Sequence, residues 1–284
     1  MPSWNVDGVP RFRVEMQVAS DDGERSPWLL VGAQHGFEVS NPVVDANGSR
    51  IATDHLVGDS KWNSARLRLV GRPVAGHDIG DIASARTWIC FTDRTGSTPA
   101  TFDDGPEPPR ALWQRALDVP FRSQRDNGPA LAPRTCSPTS LAMVLAYHGV
   151  DVPTTEVAER AFDDEHDIYG NWPFNTQAAC DFGLRAHLER FNDWRAVRRR
   201  IANDQPLVIS ITADVGELRG APYASTPGHL LVIRGFDANG DVLVADPAAR
   251  DGATGLTTYA RADLETVWMR KGGTAYVVEP AASR

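Results

Sequence analysis

Residues 103–110, DDGPEPPR, separate two stretches with different hydrophobic periods, and that break constrains the fold more than any other feature of the 284-residue chain. Upstream, RFRVEMQV (11–18) and ARLRLV (65–70) alternate polar with apolar residues, the period of a half-buried strand, and RTWICFT (86–92) reads as a more buried one. Turn-forming clusters such as SNPVVDANGSR (40–50) lie between them, and no amphipathic helix of useful length intervenes. An all-β sandwich or jelly roll is therefore expected over residues 1–102. Three prolines beside acidic residues suit an extended connector, so residues 103–114 are expected to be a linker and 115–284 a second domain.

Downstream the order is helices first and strands later. Residues 137–149, 153–162, 175–184 and 194–204 carry helical spacing; 206–211, 229–236, 241–247 and 274–280 carry strand-like apolar runs. Helices segregated ahead of an antiparallel sheet predict an α+β domain.

Composition narrows function. The net charge of -8 disfavours a nucleic-acid binder, whose affinity comes from clustered cations. Only Lys61 and Lys271 are lysines among 29 basic residues, so the arginine run 198–200 reads as compositional bias on a solvated helix face. Three distant cysteines, Cys90, Cys136 and Cys180, form neither a disulfide framework nor a metal-type spacing, and no cofactor is called for. No apolar stretch is long enough to span a membrane, and the first residues lack a secretion signal, so the expected location is cytoplasmic, or secreted if the true start lies upstream.

The chemistry gathers around Cys136. Pro138 suits the first turn of a helix, and Leu141, Val144 and Leu145 continue it, which puts Cys136 at or just before a helix N-terminus. The dipole there favours thiolate, as a nucleophile requires; a small buried hydrophobe is the alternative. Residues 228–248, GHLLVIRGFDANGDVLVADPA, read as a β-hairpin. With a four-residue loop over 237–240, Phe236 faces Asp241 and Asp246 faces Leu231, so His229 becomes a same-face diagonal neighbour of Asp246, roughly 7–8 Å away. A tighter Asn-Gly turn would separate them further. Cys, His and Asp in this order offer a nucleophile, a base and its orienter.

These segments, with VPFRSQ (119–124) upstream, resemble the papain-like cysteine peptidases of the double-glycine leader peptidase type, and more closely the stand-alone bacterial branch without a transporter. The resemblance covers roughly residues 118–278 and implies an α+β papain-like domain. It also implies that Cys136 is the nucleophile, His229 the base, Asp246 its orienter and Gln124 an oxyanion-hole donor. Ser137 departs from the glycine of many relatives. YGNWPFNTQAA (169–179) also resembles a segment of that branch, so Asn171, Trp172 and Asn175 become candidate substrate contacts; an aromatic plug ahead of a helix capped by Asn175 or Thr176 is the alternative. SPWLLVG (26–32) and IATDHL (51–56) are similar to sandwich-like modules preceding such domains.

His148 fits a helix C-terminus with Gly149 as cap, and DDEHD (163–167) reads as a solvated loop rather than a calcium loop. The expected partner is a peptide or protein substrate, with a glycan or protein ligand for the N-terminal region. The expected function is peptide-bond hydrolysis. The alternatives are amidase, deamidase or acyl-transfer chemistry at the same site, or a binding protein with an inactive peptidase domain.

Overall fold

The first strand, Pro2–Asp7 (β1, PSWNVD), alternates apolar with polar residues and is buried along nearly its whole length. The computed structural model to which it belongs describes residues 1–8, 11–34, 36–40, 42–46, 48–58, 62–72, 84–90 and 105–281. β2 (Arg11–Ala19), β3 (Leu29–Gln34), β4 (Asp45–Ala46), β5 (Ser49–Ala52), β6 (His55–Gly58), β7 (Ser64–Arg72) and β8 (Ser84–Ile89) complete a strand-rich N-terminal region. They form a β1–β8 pair and two three-stranded antiparallel sheets, ordered β3–β2–β7 and β4–β5–β6. The alternation of 11–18 is realised: Phe12, Val14, Met16 and Val18 all point into a core with Trp4, Val6 and Val31. The last two residues of the expected strand 86–92, and the first two of the expected linker, lie outside the described residues. The end of that linker is helical, α1 at Arg110–Trp113.

The remainder contains α2 (Cys136–Tyr147), α3 (Thr154–Ala161), α4 (Trp172–Asp181), β9 (Leu184–Arg190), α5 (Trp194–Ala202), β10 (Leu207–Ala213), β11 (Thr226–Phe236), β12 (Val242–Ala245), α6 (Gly252–Gly255), β13 (Leu256–Tyr259), α7 (Arg261–Met269) and β14 (Thr274–Pro280). Its six strands make one antiparallel sheet in the order β13–β12–β11–β10–β14–β9. Every residue of α2 from Ser137 to Leu145 is buried, so this helix is enclosed all round and forms the centre of the domain rather than one of its faces. Among the described residues no helix is long and apolar enough to cross a membrane.

β9 is an edge strand, and the polar residues of β1 satisfy its outer backbone. Ala186 N–H donates to Asn5 Oδ1 and Leu188 N–H to Ser3 Oγ, both at 3.0 Å. From α4, Gln177 imitates a strand: its Oε1 accepts Val6 N–H at 2.8 Å and its Nε2 donates to Val6 O at 2.9 Å. Phe174 of α4 completes the N-terminal core, meeting Trp4 edge-on at 6.3 Å. Gly32 is what makes room for that ring, since a Cβ there would lie 2.6 Å from Phe174 Cε2. The turn before β6 contributes Asp54, a 7% exposed carboxylate that accepts the Trp172 N–H at 3.5 Å at the start of α4. It supplies negative charge at the helix end where the Asn171 cap side chain makes no capping bond.

Candidate functional site

Cys136 is the first residue of α2, as the Pro138 position predicted, and a part of it reaches solvent. Two serines seat this helix end on the sheet. Ser137 Oγ is 2.9 Å from Tyr276 Oη of β14, and Ser140 Oγ donates to Leu230 O at 3.1 Å. The Ser137 hydroxyl thus points into the core. Ser137→Gly is expected to lower stability by about 1–3 kcal/mol, because the fully buried Tyr276 hydroxyl loses its partner. Equal melting temperatures would show that the Tyr276 hydroxyl finds another partner.

His229 and Asp246 come together through β11 and β12, although not by a four-residue loop. Phe236 pairs with Val242 and Gly235 with Leu243; after a bulge, Ile233 pairs with Val244 and Val232 with Ala245. The loop is five residues, closed by Asp237 N–H donating to Asp241 O at 2.9 Å, and the bulge takes back the extra residue. The register near the site is therefore the expected one, and His229 Nε2 lies 2.7 Å from Asp246 Oδ1. Gly235 permits the bulge: its φ is +152°, and a Cβ there would lie 1.8 Å from Arg115 O.

Asp246 is fully buried and held from several sides. Its Oδ1 also accepts Ala248 N–H at 2.9 Å, while Oδ2 accepts Tyr223 Oη at 3.1 Å and Tyr259 Oη at 2.8 Å. Burial opposes its charge, but the cationic His229 and these donors outweigh burial and hold the carboxyl below its usual range. Burial likewise opposes charge on His229, and there the carboxylate of Asp246 wins, helped by Cys136, so the imidazole is held protonated above its usual range. With Nε2 committed to Asp246, Nδ1 is the nitrogen left for Cys136.

Burial pushes the Cys136 thiol up, but the hydrogen bond and charge of His229, joined by the Leu230 and Ser137 backbone, bring it below the ordinary thiol value. The other two thiols move the opposite way. Burial raises Cys90, and burial beside Asp181 and Asp7 pushes Cys180 up to about 12. All three cysteines are free, and only Cys136 combines solvent access with stabilisation of the thiolate.

Gln124 opens a 3₁₀ turn, Gln124–Asn127, that bridges both halves of the site. Its N–H donates to Pro247 O at 2.9 Å, next to Asp246, and Asn127 Nδ2 reaches Thr135 Oγ1 at 2.9 Å, next to Cys136. Gln124 Nε2 donates one hydrogen to Ala132 O at 2.7 Å, which leaves the second unspent.

Asn171 and Asn175 are buried, with donors directed at the protein itself. Asn171 Nδ2 bonds Asp163 Oδ2 at 2.7 Å; Asn175 Nδ2 bonds Tyr169 O and Asn171 O at 2.9 and 2.8 Å. The helix cap is Asn171 rather than Asn175 or Thr176. Trp172 is partly exposed and packs on the main core. Within 163–167, Asp163 is not solvated: it is 2% exposed and also accepts from His166 Nδ1 at 2.8 Å, thereby shaping the loop. His148 follows α2 as its C-cap, and Gly149 takes φ +86°.

A helix-start thiol stands beside a strand-borne imidazole on a fold of mixed helices and antiparallel sheet, the arrangement a thiol hydrolase would need. Residues 116–276, more than half of the chain, match the Peptidase_C39 like family, and the chain belongs to it. The protein is a cysteine peptidase. No curated protein matches the chain. Among solved structures it is similar to a C39-like peptidase from Bacillus anthracis, at 20% identity and a TM-score of 0.43 over 59% of this chain and 97% of that one. It is also similar to a double glycine motif protease from an AMS/PCAT transporter in complex with the leader peptide, at 20% identity and a TM-score of 0.40 over 58% of this chain and 94% of that one. A third is the peptidase domain of Streptococcus ComA, a bifunctional ABC transporter, at 17% identity and a TM-score of 0.39 over 52% of this chain and 93% of that one.

Proposed function

We propose that the protein hydrolyses peptide bonds with Cys136 as nucleophile, His229 as general base and acid, and Asp246 as the group that orients the imidazole. The observation that carries this reading is the 2.7 Å pairing of the His229 imidazole with Asp246, beside a helix-start Cys136 whose thiolate that imidazole favours. His229 takes the thiol proton and the sulfur attacks the carbonyl carbon. As the C–N bond breaks, His229 returns the proton to the departing amine; water then hydrolyses the thioester. We assign the oxyanion donors as the Cys136 N–H and the second hydrogen of Gln124 Nε2. In this reading Trp172 contacts substrate, whereas Asn171 and Asn175 act indirectly by holding the loop ahead of it. The strand-rich region through residue 102 serves as a sandwich-like accessory module fused to a peptidase domain over 115–284.

The test is an assay on peptide, isopeptide and muropeptide panels with wild type and Gln124→Ala. Peptide cleavage is expected, slowed on the order of 10²–10³-fold in the variant at unchanged melting temperature, the effect of losing one oxyanion donor. Unchanged kinetics would remove Gln124 from the site. Cleavage confined to the isopeptide or muropeptide panel would replace the peptide-bond reading with an amidase one.

A further inference from the structure

Asp246 has more partners than an orienting carboxylate needs, and one of them comes from a loop. Residues 214–225 join β10 to β11 and are fastened to the last helix at two places. Arg219 makes a two-toothed pair with Asp263, at 2.7 and 3.1 Å. Arg270 joins both Asp214, at 3.2 Å, and Glu217. Leu218 is buried beneath the loop. So held, the loop places half-buried Tyr223 over the site, its ring edge-on to His229 at 4.9 Å and its hydroxyl 3.1 Å from Asp246 Oδ2. Tyr259 reaches the same oxygen from β13. The division is clean: both phenols take Oδ2, while His229 and Ala248 N–H take Oδ1.

We infer that Tyr223 is a positioning residue for the peptidase reaction: through its hydroxyl it fixes the Asp246 carboxylate, and its ring covers the His229–Asp246 bond. The inference rests on the proposed roles of Cys136, His229 and Asp246. Four titratable groups meet here, Cys136 from α2, His229 from β11, Asp246 after β12 and Tyr259 from β13, with Tyr223 as the fifth. Burial and the Asp246 charge raise both phenols, so they remain proton donors to the carboxylate through the working pH range. A phenol donating to Asp246 disperses its negative charge and weakens its hold on the imidazolium proton. Without that donor the carboxylate binds His229 more strongly, and the imidazolium survives to higher pH.

Iodoacetate reads this directly. The Cys136 thiolate displaces iodide to form a carboxymethyl thioether, and the anionic reagent is drawn in by the imidazolium. The rate against pH therefore rises with thiol ionisation and falls as His229 loses its proton. The comparison is wild type, Tyr223→Phe, Tyr259→Phe and His229→Ala, site-resolved at Cys136. Phenylalanine keeps the ring and removes only the hydroxyl.

The expected result is a bell-shaped profile in wild type, absent in His229→Ala, with its alkaline limb displaced upward by on the order of half a pH unit in Tyr223→Phe. Tyr259→Phe should move the same limb in the same direction, and it carries the test if Tyr223→Phe does not fold. A merely structural tyrosine would lower the melting temperature and leave the limb in place. An unmoved limb with the wild-type bell intact overturns the inference alone. An ordinary thiol profile in wild type overturns both the inference and the catalytic reading beneath it.

Discussion

Replacing His229 with alanine should reduce peptide hydrolysis by on the order of 10³-fold or more, and Cys136→Ala should do at least as much. Removing the imidazole takes away the base, the proton source for the leaving amine and the cation that stabilises the thiolate, since His229 is the group that brings the Cys136 thiol down. These losses fall on one step, so the double variant should be barely slower than either single one. Asp246→Asn belongs to the same set. It keeps the shape but removes the charge that holds His229 protonated, so the alkaline limb of activity should move down in pH. Wild-type activity is therefore expected between loss of the thiolate at low pH and loss of the imidazolium at high pH. A His229→Ala protein that still cleaves within tenfold of wild type would place the reaction elsewhere.

Deleting residues 1–104 should cost most or all of the stability of the remainder. The cut uncovers Phe174, which is 2% exposed, for about 1.5–3 kcal/mol of lost burial. It also removes the partners of Ala186 N–H, Leu188 N–H and Gln177, at about 1 kcal/mol each. Together these amount to roughly 5 kcal/mol, the order of a whole domain's margin. Gln177→Ala in the full chain isolates part of the effect: it strands the buried N–H and carbonyl of Val6 and should cost about 2–5 kcal/mol. A fragment of 105–284 that melts at the temperature of the intact protein would show that the two regions are energetically independent.

Local pattern made much of this legible. The helix at Cys136 was announced by Pro138 and the spacing after it, and the pairing of His229 with Asp246 followed from counting along antiparallel strands. Elements escaped where pattern and role diverge. β1 is only six residues long, and its polar members Ser3 and Asn5 accept hydrogen bonds from the edge of β9 while Trp4 and Val6 enter the core, so a strand buried on both faces reads as a short half-polar one. The alternation of LRAHLER is masked in the sequence by helical spacing that runs on to Leu184, whereas the φ of +82° at Gly183 ends the helix and releases β9. Asn171 and Asn175 looked like exposed donors because sequence alone does not show which way a side chain turns. Tyr223 left no signal at all, as a lone aromatic among GAPYASTPG that acquires its role only when the loop is fastened down.

The bulge at Arg234 and Gly235 has a practical side. Between it and the turn, the two strands run one residue out of step with the stretch beyond it, so the extra residue of the five-residue loop is compensated before the pairing reaches His229. The bulge is a fixed offset of one residue, and it sets the phase in which the strands continue toward His229. Ala238 and Asn239 are exposed at that tip. An epitope or affinity tag spliced there would sit at the end of the hairpin opposite the histidine and aspartate, where the carbonyls of Asp237 and Ala238 accept hydrogen bonds from Gln114 and Arg110 of the α1 segment.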